Sequence, residues 1–216
     1  MNTFLFRPLF FFCLLVSSLC QAQKIEKYNL SKLFSENELV YVPSQQVKVI
    51  DDSKGPGVTA EGIVLLKNVT FSRGSIDVDI RGRDVFQHSF VGIAFYAIDT
   101  LTYDAIYFRP FNFQSADTLR RKHMAQYISQ PDYPWERLRK EHPLVYESGV
   151  TPSLNPSDWF HAHIVVGKEE ITVYVNHSTV PSLKVKKLTT RSDGLIGLWS
   201  YDLTGDFANL EIKSDR

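Results

Sequence analysis

The feature that most constrains the fold is a succession of short stretches rich in β-branched and aromatic residues, with turn residues between them. No segment has a long helical period, and Gly, Pro, Asn and Asp cluster where the stretches end. Many short strands at this spacing are typical of a β-sandwich or barrel. The predicted strands are 39–42, 46–50, 60–66, 75–81, 91–98, 103–109, 124–128, 159–167, 170–176, 182–188, 195–201 and 208–213.

Alternation within the predicted strands indicates which faces are buried. In the stretch 75–80, isoleucine and valine alternate with Asp77 and Asp79, which predicts one buried and one solvent-exposed face. In the stretch 90–98 both faces are apolar, which predicts a central strand covered on both sides. Gly92 within it would let a neighbouring strand approach closely.

The chain begins with the pattern of a secretory signal peptide, residues 1–22. A positive charge at Arg7 precedes an apolar run and a tail of small residues that ends at Ala22. Cleavage after Ala22 would leave one exported domain, 23–216, in the periplasm or outside the cell. A lipoprotein signal around Cys20 is the alternative interpretation of the same segment.

Composition restricts the partners of the exported domain. Both cysteines, Cys13 and Cys20, lie in the predicted signal peptide, so the domain would have no disulfide and would depend on its core. Loss of Arg7 from 24 basic residues, against 24 acidic ones, leaves a near-neutral chain, which argues against nucleic acid or an anionic membrane surface as the main partner. The apolar run is shorter than the roughly 20 residues of a transmembrane span. No resident cofactor is expected.

One stretch, residues 103–147, concentrates more chemical diversity than a core needs. It carries aromatic, guanidinium, imidazole, amide and carboxylate side chains around two predicted strands. Helical turns are predicted at 115–122, with Ser115 as N-cap, and at 134–140, with Pro134 in the first turn. Insertions of this kind at one end of a sandwich commonly carry function.

Three segments resemble the concanavalin A-like lectin and glucanase superfamily. They are the strand 91–95 with its Gly-Ile-Ala-Phe sequence, the stretch Tyr-Asp-Ala-Ile-Tyr-Phe-Arg-Pro at 103–110, and the C-terminal run 194–212. Within the superfamily the residues are most similar to secreted LamG-like proteins and to domains described as 3-keto-disaccharide hydrolases. The resemblance covers roughly 58–213 and implies an all-β jelly-roll sandwich of two antiparallel sheets, one of them often used to hold glycans. The superfamily includes lectins, hydrolases, lyases and adhesion modules, so the fold leaves the function open.

The resemblance makes carbohydrate the expected ligand, with the stretch 103–147 as its binding region. Sugars present apolar C–H faces and polar edges, which suit aromatic plates beside forked hydrogen-bond donors. On the strand 103–109, Tyr107 and Arg109 share a face opposite to that of Asp104. The predicted contact residues are Tyr107, Arg109, Asn112, His123, Gln126, Tyr127 and Trp135. The alternative is a structural lid, packed by its own aromatic rings and by arginines paired with Asp117, Glu136 and Glu147.

Glycan cleavage is the main rival to binding. The glucanases of the superfamily carry a Glu-x-Asp-x-x-Glu strand, and the nearest match here, Asp77 and Asp79, has no second glutamate. A polysaccharide lyase needs groups that neutralise a uronate and transfer protons, for which the candidates are Arg109, His123, Gln126 and Tyr127. A hydrolase would draw its acid and base from Asp104, His123 and Glu147, although no motif selects among them.

Two places in the sequence raise the question of a metal. His161 and His163 occupy alternate positions of one strand without an evident third ligand, and we expect ordinary exposed histidines there. Asp206 opens the last strand, where some members of the superfamily bind a structural calcium ion through an aspartate. Calcium takes roughly 6–8 oxygen ligands, so one carboxylate does not define a site.

Overall fold

The computed structural model describes residues 24–215 and shows two antiparallel β-sheets packed face to face, which confirms the predicted jelly-roll sandwich. The strands are β1 (Lys24–Tyr28), β2 (Leu39–Val40), β3 (Val47–Asp52), β4 (Gly55–Ala60), β5 (Ile63–Phe71), β6 (Gly74–Arg81), β7 (Ser89–Ala97), β8 (Tyr103–Phe108), β9 (Ala125–Gln130), β10 (Glu147–Ser148), β11 (Phe160–Val166), β12 (Glu170–Val175), β13 (Leu183–Lys186), β14 (Gly194–Asp202) and β15 (Gly205–Ser214). The α-helices are α1 (Leu30–Ser35) and α2 (Trp135–Glu141). The predicted signal peptide lies outside the described residues.

The chain passes back and forth between the two sheets. One has the order β13-β12-β11-β6-β15-β4-β3, and β1 also pairs with β15, beyond the end of β4. The other has the order β10-β9-β8-β7-β14-β5-β2 and is called the seven-stranded sheet below. Strands from both halves of the sequence meet in each sheet, so most of the pairing is long-range.

The central strand predicted from the stretch 90–98 is confirmed as β7. It lies between β8 and β14, and every residue but one is buried. Gly92 permits the close approach of β8, because a Cβ atom at this position would lie 2.0 Å from the backbone oxygen of Ile106. Substitution of Gly92 by any larger residue would therefore push two paired strands apart.

The glycine and proline residues of the segment 54–57 predict a turn between strands, but the structure places most of this segment in β4. The chain reverses earlier, and β3 and β4 form a hairpin in which Asp52 is paired with Gly55. Gly57 is required within the strand, because a Cβ atom there would lie 2.3 Å from the backbone oxygen of Phe207 on β15. Glycine therefore marks a close approach of two strands here rather than a turn.

The helical insertions match the predictions in part. α2 occupies the segment predicted at 134–140, with Pro134 as its N-cap residue. The segment predicted at 115–122 instead ends in one turn of 3-10 helix, Arg120–His123. The side chain of Asp117 accepts hydrogen bonds from two backbone N–H groups just after it, which moves the start of the helix along the chain. α1 is not predicted, although an asparagine at its N-cap marks its start.

Two groups of buried side chains lie on the two faces of the seven-stranded sheet. The larger group fills the space between the sheets, and a smaller group covers the outer face and includes Leu138 of α2. Part of the outer face is therefore covered by α2, which belongs to the stretch 103–147. Within residues 24–215, no helix has the length and apolar character needed to cross a membrane.

Candidate binding cleft

A row of directly opposed residues crosses the outer face of the seven-stranded sheet. From β10 to β5 it consists of Glu147, Gln126, Tyr107, Gly92, Trp199 and Ile63. Gly92 has no side chain to separate its two neighbours, so the rings of Tyr107 and Trp199 approach to 4.8 Å between centroids. The indole N–H of Trp199 donates to the hydroxyl of Tyr103 at 3.1 Å. The two rings, tilted by 32° to each other, form an aromatic floor.

Above this floor lies a cleft of about 670 Å³. The strands supply its floor, the segment 86–90 and the loops after β8 supply one side, and α2 supplies another. The residues that line it are Phe86, Gln87, Phe90, Tyr103, Tyr107, Arg109, Phe111, Asn112, Arg120, His123, Ile128, Gln130, Pro134, Trp135, Glu136, Arg139, Trp199 and Tyr201. A volume of this size suits a small organic ligand or a short oligosaccharide.

One wall of the cleft is aromatic. Phe90 contacts Tyr107, Phe111 and Tyr201 edge to face, with ring centroids 5.4 to 6.1 Å apart, and Phe86 extends the group through Phe111. Two members are largely open to solvent: Phe86 is 52% exposed and Tyr201 is 65% exposed. Exposed rings of this size beside a cleft are uncommon unless they serve binding.

Guanidinium groups lie over the aromatic rings of the cleft. Arg120 lies 4.0 Å from the ring centroid of Phe86, and Arg139 of α2 lies 5.0 Å from that of Trp135. At the floor, Arg109 lies 4.9 Å from the centroid of Tyr107. Each pair holds a flat hydrogen-bond donor and an apolar surface side by side.

Arg109 is the organising cation of the floor. It is 4% exposed and donates to the hydroxyl of Tyr107 at 2.7 Å, to the side-chain oxygen of Gln126, and to the backbone oxygen of His123 at 3.1 Å. The hydroxyl of Tyr107 in turn donates to Gln126 at 2.8 Å. Burial raises the pKa of Tyr107 to about 12, so the phenol is neutral at physiological pH.

Glu147 lies beneath the cleft and joins its basic groups. Arg139 contacts both carboxylate oxygens, at 3.1 and 2.7 Å, and the Nδ1 atom of His123 lies 2.8 Å from one of them. Arg109 is 3.6 Å away. Burial alone would raise the pKa of Glu147, but the hydrogen bonds and charge of Arg139, with His123 and Arg109, hold it below its usual value. Glu147 is therefore a permanent anion that fixes the basic residues.

Replacement of Glu147 with glutamine is expected to lower the free energy of unfolding by about 2–3 kcal/mol at pH 7, because several basic groups lose one shared acceptor. The pKa of Glu147 is depressed in the folded state, so its stabilisation is complete above about 4.5 and is lost as the pH falls through the folded pKa. Urea unfolding at pH 7 and at acid pH measures both effects. A difference between the two proteins that does not shrink on acidification would contradict this account.

Glu141→Gln is the matched control for that experiment. Glu141 is exposed and pairs with Arg137 one turn earlier on α2. Such surface pairs contribute about 0.3–0.5 kcal/mol, so this variant should unfold almost as the wild type does.

The structure brings together most of the predicted contact residues. Tyr107, Arg109, Asn112, His123 and Trp135 line the cleft, and Gln126 lies beneath them, bonded to Arg109. The catalytic candidates His123 and Glu147 lie here as well, in contact with each other.

Tyr127 and Asp104 lie elsewhere, on the opposite face of the same sheet. Both are fully buried between the two sheets, where the hydroxyl of Tyr127 donates to Asp104 at 2.7 Å. The reason is strand parity, because each is adjacent in sequence to a residue that faces the cleft. Tyr127 is thus a core residue rather than a contact residue in this structure. Asp104 does not converge with Glu147, and the proposed lyase set loses its tyrosine.

Several lining residues come from outside the stretch 103–147 and were not predicted. Phe86 and Phe90 belong to the loop before β7 and to β7 itself, and Trp199 and Tyr201 belong to β14. The two aromatic residues of β14 sit two positions apart, which is the one local sign that they share a face. Their place beside Tyr107 depends on long-range strand pairing.

A second cluster of ionisable groups lies on the outer face of the other sheet. His161 is directly opposite Asp79, and His163 is directly opposite Asp77. The ring nitrogens of His161 lie 3.1 Å from Asp79 and 3.2 Å from Asp77, and His163 lies 2.7 Å from Asp77. Lys54 and Lys213 approach the same carboxylates.

This arrangement corrects two expectations. The histidines are partly buried against carboxylates rather than freely exposed, because cross-strand pairing places a carboxylate opposite each of them. Asp77 and Asp79 are correspondingly paired rather than solvated. They also lie on the other sheet, and neither of them lines the cleft, so the glucanase-like assignment of Asp77 and Asp79 gains no support from it.

His161 is expected to titrate near pH 9. The side-chain hydrogen bonds of Asp77 and then Asp79 raise the pKa of His161 to about 9, against the opposing effect of burial. A raised histidine pKa gives stability that is complete below about 6.5 and is lost as the pH rises through 9. His161→Gln should therefore be less stable than wild type by about 3 kcal/mol at pH 6, with a smaller difference at pH 10.

Two-dimensional NMR of the imidazole signals and unfolding curves across this pH range test the prediction. The exposed His142, replaced by glutamine, serves as the control for loss of an imidazole outside this cluster. A titration midpoint of His161 near 6.5 would contradict the ion-paired geometry.

Asp206 does not have the surroundings of a calcium ligand. Its carboxylate accepts hydrogen bonds from Thr59 at 2.6 Å and from Arg81 and Arg83 at 2.8 Å each. Two guanidinium groups against one carboxylate repel a cation rather than attract it. Within residues 24–215, no three His, Cys, Asp or Glu side chains are arranged to hold a metal ion.

Comparison with known proteins identifies the fold. No family model and no curated protein sequence matches the chain. The carbohydrate-binding module CBM66 from Bacillus subtilis is 12% identical over 81% of this chain and 94% of its own, with a TM-score of 0.55. A Bacillus subtilis protein of unknown function with a galectin-like fold is 10% identical over 89% of this chain and 98% of its own, with a TM-score of 0.56. The exoplasmic/lumenal domain of VIP36 in its Ca²⁺-bound form is 10% identical over 83% of this chain and 84% of its own, with a TM-score of 0.50.

These similarities define the class of protein. The chain is an all-β jelly-roll sandwich of two antiparallel sheets, and its fold is similar to that of a galectin-like protein. At such low identities the similarity extends to the fold alone, and the function has to be argued from the cleft.

Proposed function

We propose that the protein is an exported carbohydrate-binding domain that holds a glycan in the cleft on the outer face of the seven-stranded sheet. The observation that carries the proposal is the set of solvent-exposed rings around this cleft: Phe86 and Trp135 each lie beside a guanidinium group, and Tyr201 contacts Phe90 of the aromatic wall. Trp135 is 41% exposed although it lines the cleft, so one side of its ring is available to a ligand.

Sugar rings match this surface chemically. Their C–H faces stack on aromatic rings, and their hydroxyl edges need donors and acceptors at the sides. Phe86, Trp135 and Tyr201 provide the rings, and Asn112 and Arg120 provide polar groups between them. The floor is pre-organised by Arg109, so binding would require little rearrangement.

The names of similar structures support the proposal without deciding it. One is described as a carbohydrate-binding module, and its structure aligns with most of this chain. The residue pattern adds the finer proposal of a LamG-like or 3-keto-disaccharide hydrolase-like protein. Residues 1–22 add the proposal of export, since they have the pattern of a signal peptide.

The arrangement of acids favours binding over hydrolysis. A glycosidase needs two carboxyl groups on either side of the scissile bond, roughly 5–10 Å apart. Among the described residues that line the cleft, the only carboxylate is Glu136, and Glu147 beneath it is held ionised by Arg139. Glu136 is exposed and Glu147 is held as an anion, so neither has the surroundings of a buried general acid.

Cleavage of a uronate-containing glycan by β-elimination is the second candidate, and one observation favours it. Tyr107 lies on the cleft side where Tyr127 does not, and its hydroxyl contacts both Arg109 and Gln126. With His123 nearby, the four types of side chain that a lyase needs are again in one place.

A glycan array probed with the purified protein tests the proposal, followed by calorimetric titration of any glycan that binds. The same panel is assayed for new reducing ends and for unsaturated sugar products. Binding without turnover is the expected result. Unsaturated products would favour the lyase candidate over a binding function. Absence of binding across neutral and charged glycans would contradict the proposed function.

A further inference from the structure

We infer that the glycan bound in the cleft carries an anionic group, a carboxylate or a sulfate, and that Arg120 is the residue that binds it. The inference rests on the proposed function and names its ligand class. The observation behind it is the difference between Arg120 and the other half-buried arginines in whether a carboxylate contacts them.

Among residues 24–215, the half-buried arginines are neutralised by carboxylates, with one exception. Arg81 and Arg83 lie 2.8 Å from Asp206, Arg139 lies 2.7 Å from Glu147, and Arg191 lies 2.6 Å from Asp104. Arg120 is equally half-buried, yet within residues 24–215 it forms no ion pair with any carboxylate. The lack of a carboxylate partner for Arg120 among residues 24–215 is therefore the unusual feature of the cleft.

The partners of Arg120 are neutral and fix its position. Its Nε atom donates to the side-chain oxygen of Asn112 at 3.1 Å, and its Nη2 atom donates to the backbone oxygen of Phe111 at 3.0 Å. Its guanidinium lies against the ring of Phe86. No hydrogen bond to a described residue uses the Nη1 atom. A cation held in place by neutral groups beside a cleft is pre-organised for an anion.

The charge balance of the cleft points the same way. Arg109, Arg120 and Arg139 line it, against the single lining carboxylate Glu136 and the buried Glu147. Three positive charges face two negative ones, whereas the whole chain has equal numbers of basic and acidic residues. The positive surplus is thus local, and a neutral sugar would leave it uncompensated.

The test compares glycans that differ only in charge. One pair is polygalacturonate and its methyl-esterified form, which removes the carboxylate charge from the same backbone. The other pair is a sulfated galactan oligosaccharide and its desulfated form. We expect the charged member of one pair to bind about tenfold or more tightly than its neutral counterpart, and the pair that responds identifies the anion. Binding should weaken severalfold between about 20 mM and about 500 mM NaCl.

Arg120→Gln is expected to abolish the preference for the charged member, because it removes the cation and keeps a hydrogen-bond donor. The matched control is Arg121→Gln, which changes the neighbouring exposed arginine of the same 3-10 helix, a residue that does not line the cleft. Circular dichroism and thermal unfolding verify that both variants fold.

Three outcomes would overturn the inference. Equal binding of charged and neutral members by the wild type would do so while leaving the proposed function intact, and this result does not depend on any variant folding. If the folded Arg120→Gln variant still prefers the charged glycan, Arg120 is not the residue that binds the anionic group. Absence of binding to every glycan, charged or neutral, would overturn the proposed function and this inference together.

Discussion

Asp104→Ala is expected to lower the free energy of unfolding by about 3–5 kcal/mol, the largest effect of any substitution considered in this protein. Asp104 is fully buried between the sheets and accepts hydrogen bonds from Tyr127 at 2.7 Å, Ser129 at 2.9 Å and Arg191 at 2.6 Å. Alanine would leave two buried hydroxyl groups and a guanidinium without their acceptor. Urea unfolding of the variant and the wild type at pH 7 measures the loss.

The sign of this effect does not mean that the ion pair is itself strongly stabilising. Burial raises the pKa of Asp104 although Tyr127 and Arg191 oppose it, which shows that the charge is costly to bury. Removal of Asp104 alone leaves the charge of Arg191 buried without its partner, whereas removal of both residues avoids much of the cost of burying charge. The double variant Asp104→Leu with Arg191→Met should therefore be closer in stability to wild type than Asp104→Ala is.

Asp51→Ala is the control, since Asp51 is exposed on β3 and should change stability by less than about 0.5 kcal/mol. A loss below about 1 kcal/mol for Asp104→Ala would show that the buried network is not formed as described. A stable Asp104→Ala that has lost an enzymatic activity would instead restore Asp104 as a catalytic candidate.

Trp135→Ala is expected to weaken glycan binding by about 30-fold, or about 2 kcal/mol, while the protein remains folded. Trp135 is the first residue of α2, its ring is partly open to the cleft, and its contact with Arg139 is at the surface. Truncation therefore removes a platform for the sugar without opening the core. Arg109 is unsuitable for this test because it is buried and bonded to several groups of the floor.

The control for Trp135→Ala is Tyr174→Ala. Tyr174 is a partly exposed aromatic residue on β12, directly opposite His163 and on the outer face of the other sheet. Calorimetric titration should give unchanged affinity for this control. Equal affinities of Trp135→Ala and wild type would show that the ligand binds somewhere other than in the cleft.

Much of the fold could be predicted from sequence because alternation reports local burial directly. The doubly apolar strand containing Gly92 is as predicted, and the strand containing Asp77 buries its isoleucine and valine side chains as predicted, although its other face is covered by paired histidines rather than open to solvent. The error at 54–57 has a physical cause, since glycine permits either a turn or a close strand contact and local sequence does not say which. Ser115 likewise competes with Asp117 for the role of helix cap.

The candidate site was predictable only where one strand determines it. The parity of β8 correctly places Tyr107 and Arg109 on one face and Asp104 on the other. The same parity argument places Tyr127 on the face opposite to that of Gln126. Only the chemistry of its side chain supports Tyr127 as a contact residue. Trp199 could not be placed from sequence, because its contact with Tyr107 depends on the pairing of β14 with β7 across about half of the chain.

The most direct test of the account uses the chain's three tryptophans, whose indole N–H groups give separate NMR signals. Trp135 and Trp199 line the cleft, whereas Trp159 does not and lies over Arg81. On titration with a glycan that binds, the account predicts that the signals of Trp135 and Trp199 shift in proportion to saturation and that of Trp159 stays in place. A shift confined to Trp159, or saturable binding that moves none of the three signals, would contradict the assignment of the cleft as the binding site.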